Sequence, residues 1–523
     1  MKELKLEELS TRQKLGMTFT AFLNGYARTP EEDAFIVDMI KNHSLGCVWI
    51  QEGREGVEEL VSMVKEAADY PILIITDAEN GIAPYTIGRH NAVACTGDAK
   101  YAYTFGKTVG VMARKMGYTA VCNPILDMYR GSQRTLGNDK EKVAEFAKEI
   151  ARGMHDGGIL TVGKHFPGAP LRKPVDGHMA PGTSGYTKED IKNRVLYPYK
   201  RLMEEDLLDG IMTSHKTFDT IDPEHPASLS KAVIDIIREE GFDGFATTDA
   251  LCMMAVRSRF NDIDAKGLAI AAGNDTILPW GANSRQLFDE YCQAYDKGLI
   301  PDERLDDAAR RILEAQHKST LLPKDAELTD EDIRMFNCIN RDSIYEKVTE
   351  GEAKKYSHDG KYCFAVMIRS DYGIGAEGHV EGDTFSSDSW RKPMEVKELI
   401  LKKFPNSKVM FVNEFPAPKQ NHDILNASIA CEDTIFLTFS EYVAYTGSEF
   451  ITRRFIRLVE ALQVTNKISA IIHQGNPFVC EELPHVPRWI IGHTTMDSLD
   501  ACLDVLAGDY PAKGAPTYDF KLK

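Results

Sequence analysis

TVGKHFPGAPLRKPVDGHMAPG, Thr161 to Gly182, decides how the chain is read: a short apolar run ends in Lys164-His165 and opens into a loop that carries Asp176 and His178. Loops this rich in titratable groups usually carry chemistry. A second stretch repeats the arrangement, because GFATTDALCMM (Gly244 to Met254) sets Asp249 directly behind another strand-like run. Together they suggest an enzyme that attacks with a carboxylate and protonates with a histidine.

Outward from these two stretches, short apolar runs at 46–50, 72–76, 119–123, 160–163, 210–213, 244–248 and 275–278 alternate with amphipathic segments such as DKEKVAEFAKEIARGM and SKAVIDIIREEG. That alternation predicts parallel strands joined by helices. A first strand expected near Met17 to Phe19 brings the count to eight, which predicts an N-terminal (β/α)8 barrel over 1–320. Asp77, Asp127, Lys164, His165, His215 and Asp249 then all follow strands and open onto one rim, where barrel active sites are built. Any one of them alone reads as a helix cap or a loop polar group. Six on one rim are harder to dismiss.

Charged segments from about 321 to 360 predict a partly helical connector without strands. Beyond it YCFAVMI, SKVMFV, DTIFLTF, KISAIIH and RWIIG alternate with helical patterns, so residues 361–523 are expected to form a smaller α/β layered domain. Gly373 to Gly378 there matches G-x-G-x-x-G, but HVEGDTFSSDSW after it opens no helix, so a surface loop is the better reading than a dinucleotide site.

The chain has 523 residues, 43% of them hydrophobic, and a formal net charge of -17. This is a folded protein of more than one domain, with no electrostatic footprint for nucleic acid or an anionic membrane. No secretory h-region and no apolar stretch of about eighteen residues is present, so a cytoplasmic location is expected. The ten cysteines include no Cys-x-x-Cys pair, and no motif calls for a metal or a cofactor.

GKHFPG (Gly163–Gly168), DGH (Asp176–His178) and TDALCM (Thr248–Met253) resemble family 3 of the glycoside hydrolases, in particular its bacterial β-N-acetylglucosaminidases. TDAENG at 76–81, NPILD at 123–127, HPASLS at 225–230 and GNPF at 475–478 extend the likeness over nearly the whole chain, in the family's order. The resemblance implies that Asp249 is the nucleophile, His178 the acid/base and Asp176 the residue that orients it. Asp77, Arg134, Lys164 and His165 fall where family members grip sugar hydroxyls. The chemistry agrees, since retaining glycoside transfer needs a carboxylate and a proton donor, and an imidazole's ordinary pKa of ~6.5 suits the second role.

Two other classes stay open on the residues alone. Lys164 at a strand end also suits a Schiff-base aldolase, and a non-catalytic sugar-binding protein would keep the same rim. The sequence also departs from the family's pattern. Ala169 to Lys173 replaces the usual His-Gly continuation after the KHFPG run, and no arginine follows the turn at Gly81. The first change puts Arg172 and Lys173 near the catalytic pair, where a guanidinium suits phosphate. A histidine acid/base, neutral after giving up its proton, would not repel that anion as a carboxylate would. The expectation is therefore a retaining β-glycoside phosphorylase acting on β-glucosides or β-N-acetylglucosaminides, or short β-linked oligosaccharides, with phosphate as co-substrate. The alternative is a β-N-acetylglucosaminidase or β-glucosidase that uses water.

Overall fold

The computed structural model describes every residue except 25–27, 131, 282, 369–372, 375–379, 382–392, 441–450 and 523. The chain divides into two compact units. The first comprises 1–86, 99–130 and 135–336, and the second comprises 87–98, 131–134 and 337–523.

The first unit is a parallel barrel. Strands β1 (Thr20–Phe22), β2 (Cys47–Trp49), β3 (Leu73–Thr76), β4 (Ala120–Val121), β5 (Leu160–Phe166), β6 (Gly210–Thr213) and β7 (Phe245–Thr248) pair in that order. Residues 276–277 close the ring through bridges from Thr276 to Thr247 and from Ile277 to Phe19. Nearly every strand residue is buried, which explains why these strands read as continuous apolar runs rather than alternating ones. The first strand starts later than expected. Ser10 and Gln13 form a capping box that draws Thr11–Met17 into a helix, so Met17 ends a helix and the strand begins at Thr20.

The outer helices follow the sequence periodicity. In Lys140–Asp156, Asp139 caps the first turn, and Val143, Phe146, Ala147, Ile150 and Met154 form the buried stripe. This helix lies very close to Ala99–Met116: a Cβ on Gly106 would stand 2.0 Å from the Ile150 carbonyl oxygen, so only glycine permits the approach. At the opposite end of the barrel from the strand C-termini, Asp275 is fully buried. It is paired with Arg238 at 2.6 Å and with Arg304, and accepts the Ala246 N–H at 2.7 Å. This end of a barrel serves stability.

The second unit holds a six-stranded sheet. With β8 (Tyr345–Val348), β9 (Tyr362–Ile368), β10 (Lys408–Asn413), β11 (Asp433–Ser440), β12 (Ile468–Gly475) and β13 (Arg488–Gly492), the order is β8-β13-β12-β11-β9-β10. All pairs are parallel except β8 with β13. The segment expected to be a strandless connector therefore contributes the helix Asp330–Asp342 and this edge strand. Only four residues long, and half-exposed beyond Tyr345, β8 lacks the apolar run that marks its neighbours. The helix Pro418–Ile429 was likewise not expected, because its buried face is reduced to Ile424, Ala427 and Ser428. In the G-x-G-x-x-G segment only Gly373 and Ile374 are described, as a two-residue strand; the rest of that motif lies outside the described residues.

Candidate active site

The end of β5 supplies two neighbouring side chains to the rim because the ladder slips there. Lys164 pairs with Met212 and Phe166 with Thr213, leaving His165 as the extra residue of a bulge. Lys164 is buried, and its ammonium meets Asp77 Oδ1 at 2.5 Å and Glu79 Oε1 at 2.7 Å. His165 Nδ1 lies 2.6 Å from Asp127 Oδ2, while its Nε2 is 4.0 Å from Asp249 Oδ2. One imidazole thus bridges the ends of β4 and β7.

Asp249 follows β7 directly, and the turn carrying it is tied down on both sides. Its own N–H donates to the Thr213 carbonyl at 3.0 Å, and the Leu251 N–H donates to the Leu278 carbonyl at 2.9 Å. Oδ1 accepts the Ala250 N–H at 2.7 Å. From β6, His215 places Nε2 2.9 Å from the Ala250 carbonyl and Nδ1 2.7 Å from the Ser228 hydroxyl. Burial raises the Asp249 pKa, but His165, His215, the Ala250 N–H and His178 outweigh it and hold the carboxyl below its ordinary value. An ionised carboxylate suits a nucleophile. Burial shifts the His215 pKa down, against the pull of Asp249.

The loop after β5 brings Asp176 and His178 to the same face. The Asp176 side chain is fully buried, and its Oδ1 lies 2.7 Å from His178 Nδ1 and accepts the His178 backbone N–H at 2.9 Å. Holding Nδ1–H in this way fixes the tautomer and leaves Nε2 for a substrate. Two backbone bonds tie this loop to the one carrying Asp249: Ala255 N–H to the Gly177 carbonyl at 3.0 Å, and Met254 N–H to the His178 carbonyl at 3.4 Å.

Of the residues expected at the site, Asp77, Lys164, His165, Asp176, His178 and Asp249 all stand at strand ends or on rim loops of the barrel unit. Arg134 belongs to the second unit. Arg172, expected near the catalytic pair as a phosphate ligand, is ion-paired with a carboxylate. Its guanidinium holds Asp219 bidentately at 3.0 and 3.1 Å, so its charge is already countered, and Lys173 is exposed to solvent.

Sequence reasoning passed over Glu52, Glu79 and Lys216. The Glu52 carboxylate accepts the Ala78 N–H at 3.0 Å and the Thr76 hydroxyl, and burial together with the Asp77 charge raises its pKa. Lys216 donates to the Ala169 carbonyl at 2.9 Å and sits 3.4 Å from Asp127 Oδ1, steadying the partner of His165. Each lies within a few residues of a strand end. That position was the available signal.

A closed parallel barrel with an ionised carboxylate on its rim, and a carboxylate-oriented imidazole tied beside it, defines a barrel enzyme equipped for glycosyl transfer. Residues 3–315 match the glycosyl hydrolase family 3 N terminal domain. The β-hexosaminidase of Haemophilus influenzae (strain ATCC 51907 / DSM 11121 / KW20 / Rd) is 27% identical over 243 residues, covering 43% of this chain and 69% of that one. Among solved structures, a glycoside hydrolase family 3 β-N-acetylglucosaminidase from Paenibacillus sp. str. FPU-7 superposes with a TM-score of 0.80 at 23% identity, over 98% of this chain and 100% of the other. The β-glucoside phosphorylase BglX also gives 0.80, at 20% identity, over 98% and 94%. The chain belongs to glycosyl hydrolase family 3 and is a glycosidase of that family, acting on β-linked glycosides.

Proposed function

We propose that the protein is a retaining β-N-acetylglucosaminidase that transfers its sugar to water, with Asp249 as nucleophile and the Asp176–His178 pair as acid/base. The observation that carries this reading is the docking of the two loops: backbone bonds between 177–178 and 254–255 hold the imidazole beside the Asp249 turn. In the first step an Asp249 oxygen attacks the anomeric carbon while His178 Nε2 protonates the departing oxygen. In the second, the same nitrogen takes a proton from water as the glycosyl ester breaks. Asp77, Lys164 and His165 hold the sugar hydroxyls. Relatives named as β-hexosaminidases favour the N-acetylated sugar.

The histidine chemistry suits phosphate as well as water, and a fold neighbour is named as a phosphorylase. Against phosphate stands Arg172: an incoming anion would have to displace Asp219 from a bidentate pair. The deciding experiment measures turnover of an aryl β-N-acetylglucosaminide and an aryl β-glucoside with and without phosphate, with proton NMR of the first product. The expected outcome is free sugar released as the β-anomer at a rate phosphate does not change. A sugar 1-phosphate would overturn the choice of acceptor, and an initial α-anomer would overturn the two-step mechanism.

A further inference from the structure

Among the described residues of the barrel unit, Met1, Met179, Met254 and Leu321 are the large apolar side chains left exposed. Two of these four stand beside His178. Met179 follows it in the chain, and Met254 is the residue whose N–H donates to the His178 carbonyl. They are 51% and 45% exposed. A single exposed methionine means little. Here, however, the two come from different loops, and the backbone of each adjoins His178, the group that must touch the leaving oxygen.

We infer that Met179 and Met254 form the leaving-group subsite, and that the aglycone it accepts is apolar or aromatic rather than a second sugar. The inference rests on the acid/base role proposed for His178. Because His178 protonates the departing oxygen, the first atoms of the aglycone lie against its chain neighbours. Those neighbours are Met179-Ala180-Pro181 on one loop and Met253 to Val256 on the other. None of these side chains is a strong hydrogen-bond donor or acceptor. A sugar ring placed there would give up water contacts without replacing them. An aromatic ring would lose little and gain contact with polarisable, adaptable thioethers.

The test pairs two substrates that share a sugar. A 4-nitrophenyl β-glycoside reaches the subsite, whereas the β-glycosyl fluoride has a single-atom leaving group that does not. In a Met179→Ser/Met254→Ser double variant, kcat/KM should fall roughly tenfold for the aryl glycoside and stay within about twofold for the fluoride. Met179→Leu/Met254→Leu should keep the aryl rate within about twofold of wild type. An equal loss on both substrates, or no loss on either, overturns the inference. Sedimentation showing a wild-type dimer that the serine variant dissolves would assign the methionines to a self-interface and overturn it too. Failure of the proposed function is read separately, as wild type that turns over neither substrate. Calorimetric binding of the non-hydrolysable aryl β-thioglycoside would then still read the subsite, with roughly tenfold weaker binding expected for the serine variant and unchanged binding overturning the inference.

Discussion

Replacing His165 with glutamine should move the acid limb of the pH–rate profile upward. Asp249 attacks only when ionised, so activity is lost as pH falls through its pKa, which lies below the ordinary ~3.9 chiefly because His165 and then His215 outweigh burial. The His165 nitrogen stands 4.0 Å from Asp249 Oδ2. At that distance a full charge pair is worth about 4 kcal/mol at an effective dielectric of 20 and about 1 kcal/mol in water. The Asp249 side chain is 24% exposed, and Asp127 shares the imidazole's charge, so the lower half of that range applies. At about 1.4 kcal/mol per pKa unit, the limb should rise by roughly one unit. The assay is kcat/KM for an aryl β-glycoside from neutrality into acid, since this ratio reports groups of the free enzyme. Circular dichroism at each pH separates titration from unfolding. An acid limb that stays in place in a folded variant would refute the electrostatic account of Asp249.

Asp176→Ala should lower kcat/KM by about 10²–10⁴-fold for a glycoside with a poor leaving group, and far less for a 2,4-dinitrophenyl glycoside that needs no acid; equal losses on both would mean that Asp176 does not act through His178. Asp275→Ala, which strands Arg238 and Arg304 against a buried gap, should destabilise the barrel by about 3–5 kcal/mol. Denaturant titration followed by fluorescence, to which the barrel residues Trp49 and Trp280 contribute, would register the change, and a loss under about 1 kcal/mol would show that the arginines are solvated.

The barrel and most of its rim were legible in the sequence because both depend on local order. Apolar runs of strand length mark buried parallel strands, and the residue behind each run must emerge at the strand's C-terminal end, so Asp77, Lys164, His165 and Asp249 could be placed without coordinates. Asp176 and His178 were legible as a pair because two residues suffice to bring a carboxylate to an imidazole. What the sequence could not specify are relations between distant segments. Arg172 looked available for phosphate until the fold set Asp219, 47 positions later, against it. The edge strand at 345–348 is too short to show a pattern of its own, and exists because β13 offers it unpaired backbone. The low pKa of Asp249 is likewise tertiary, since His165 and His215 reach it from strands 84 and 34 residues upstream, and Coulomb energy depends on distance through space rather than along the chain.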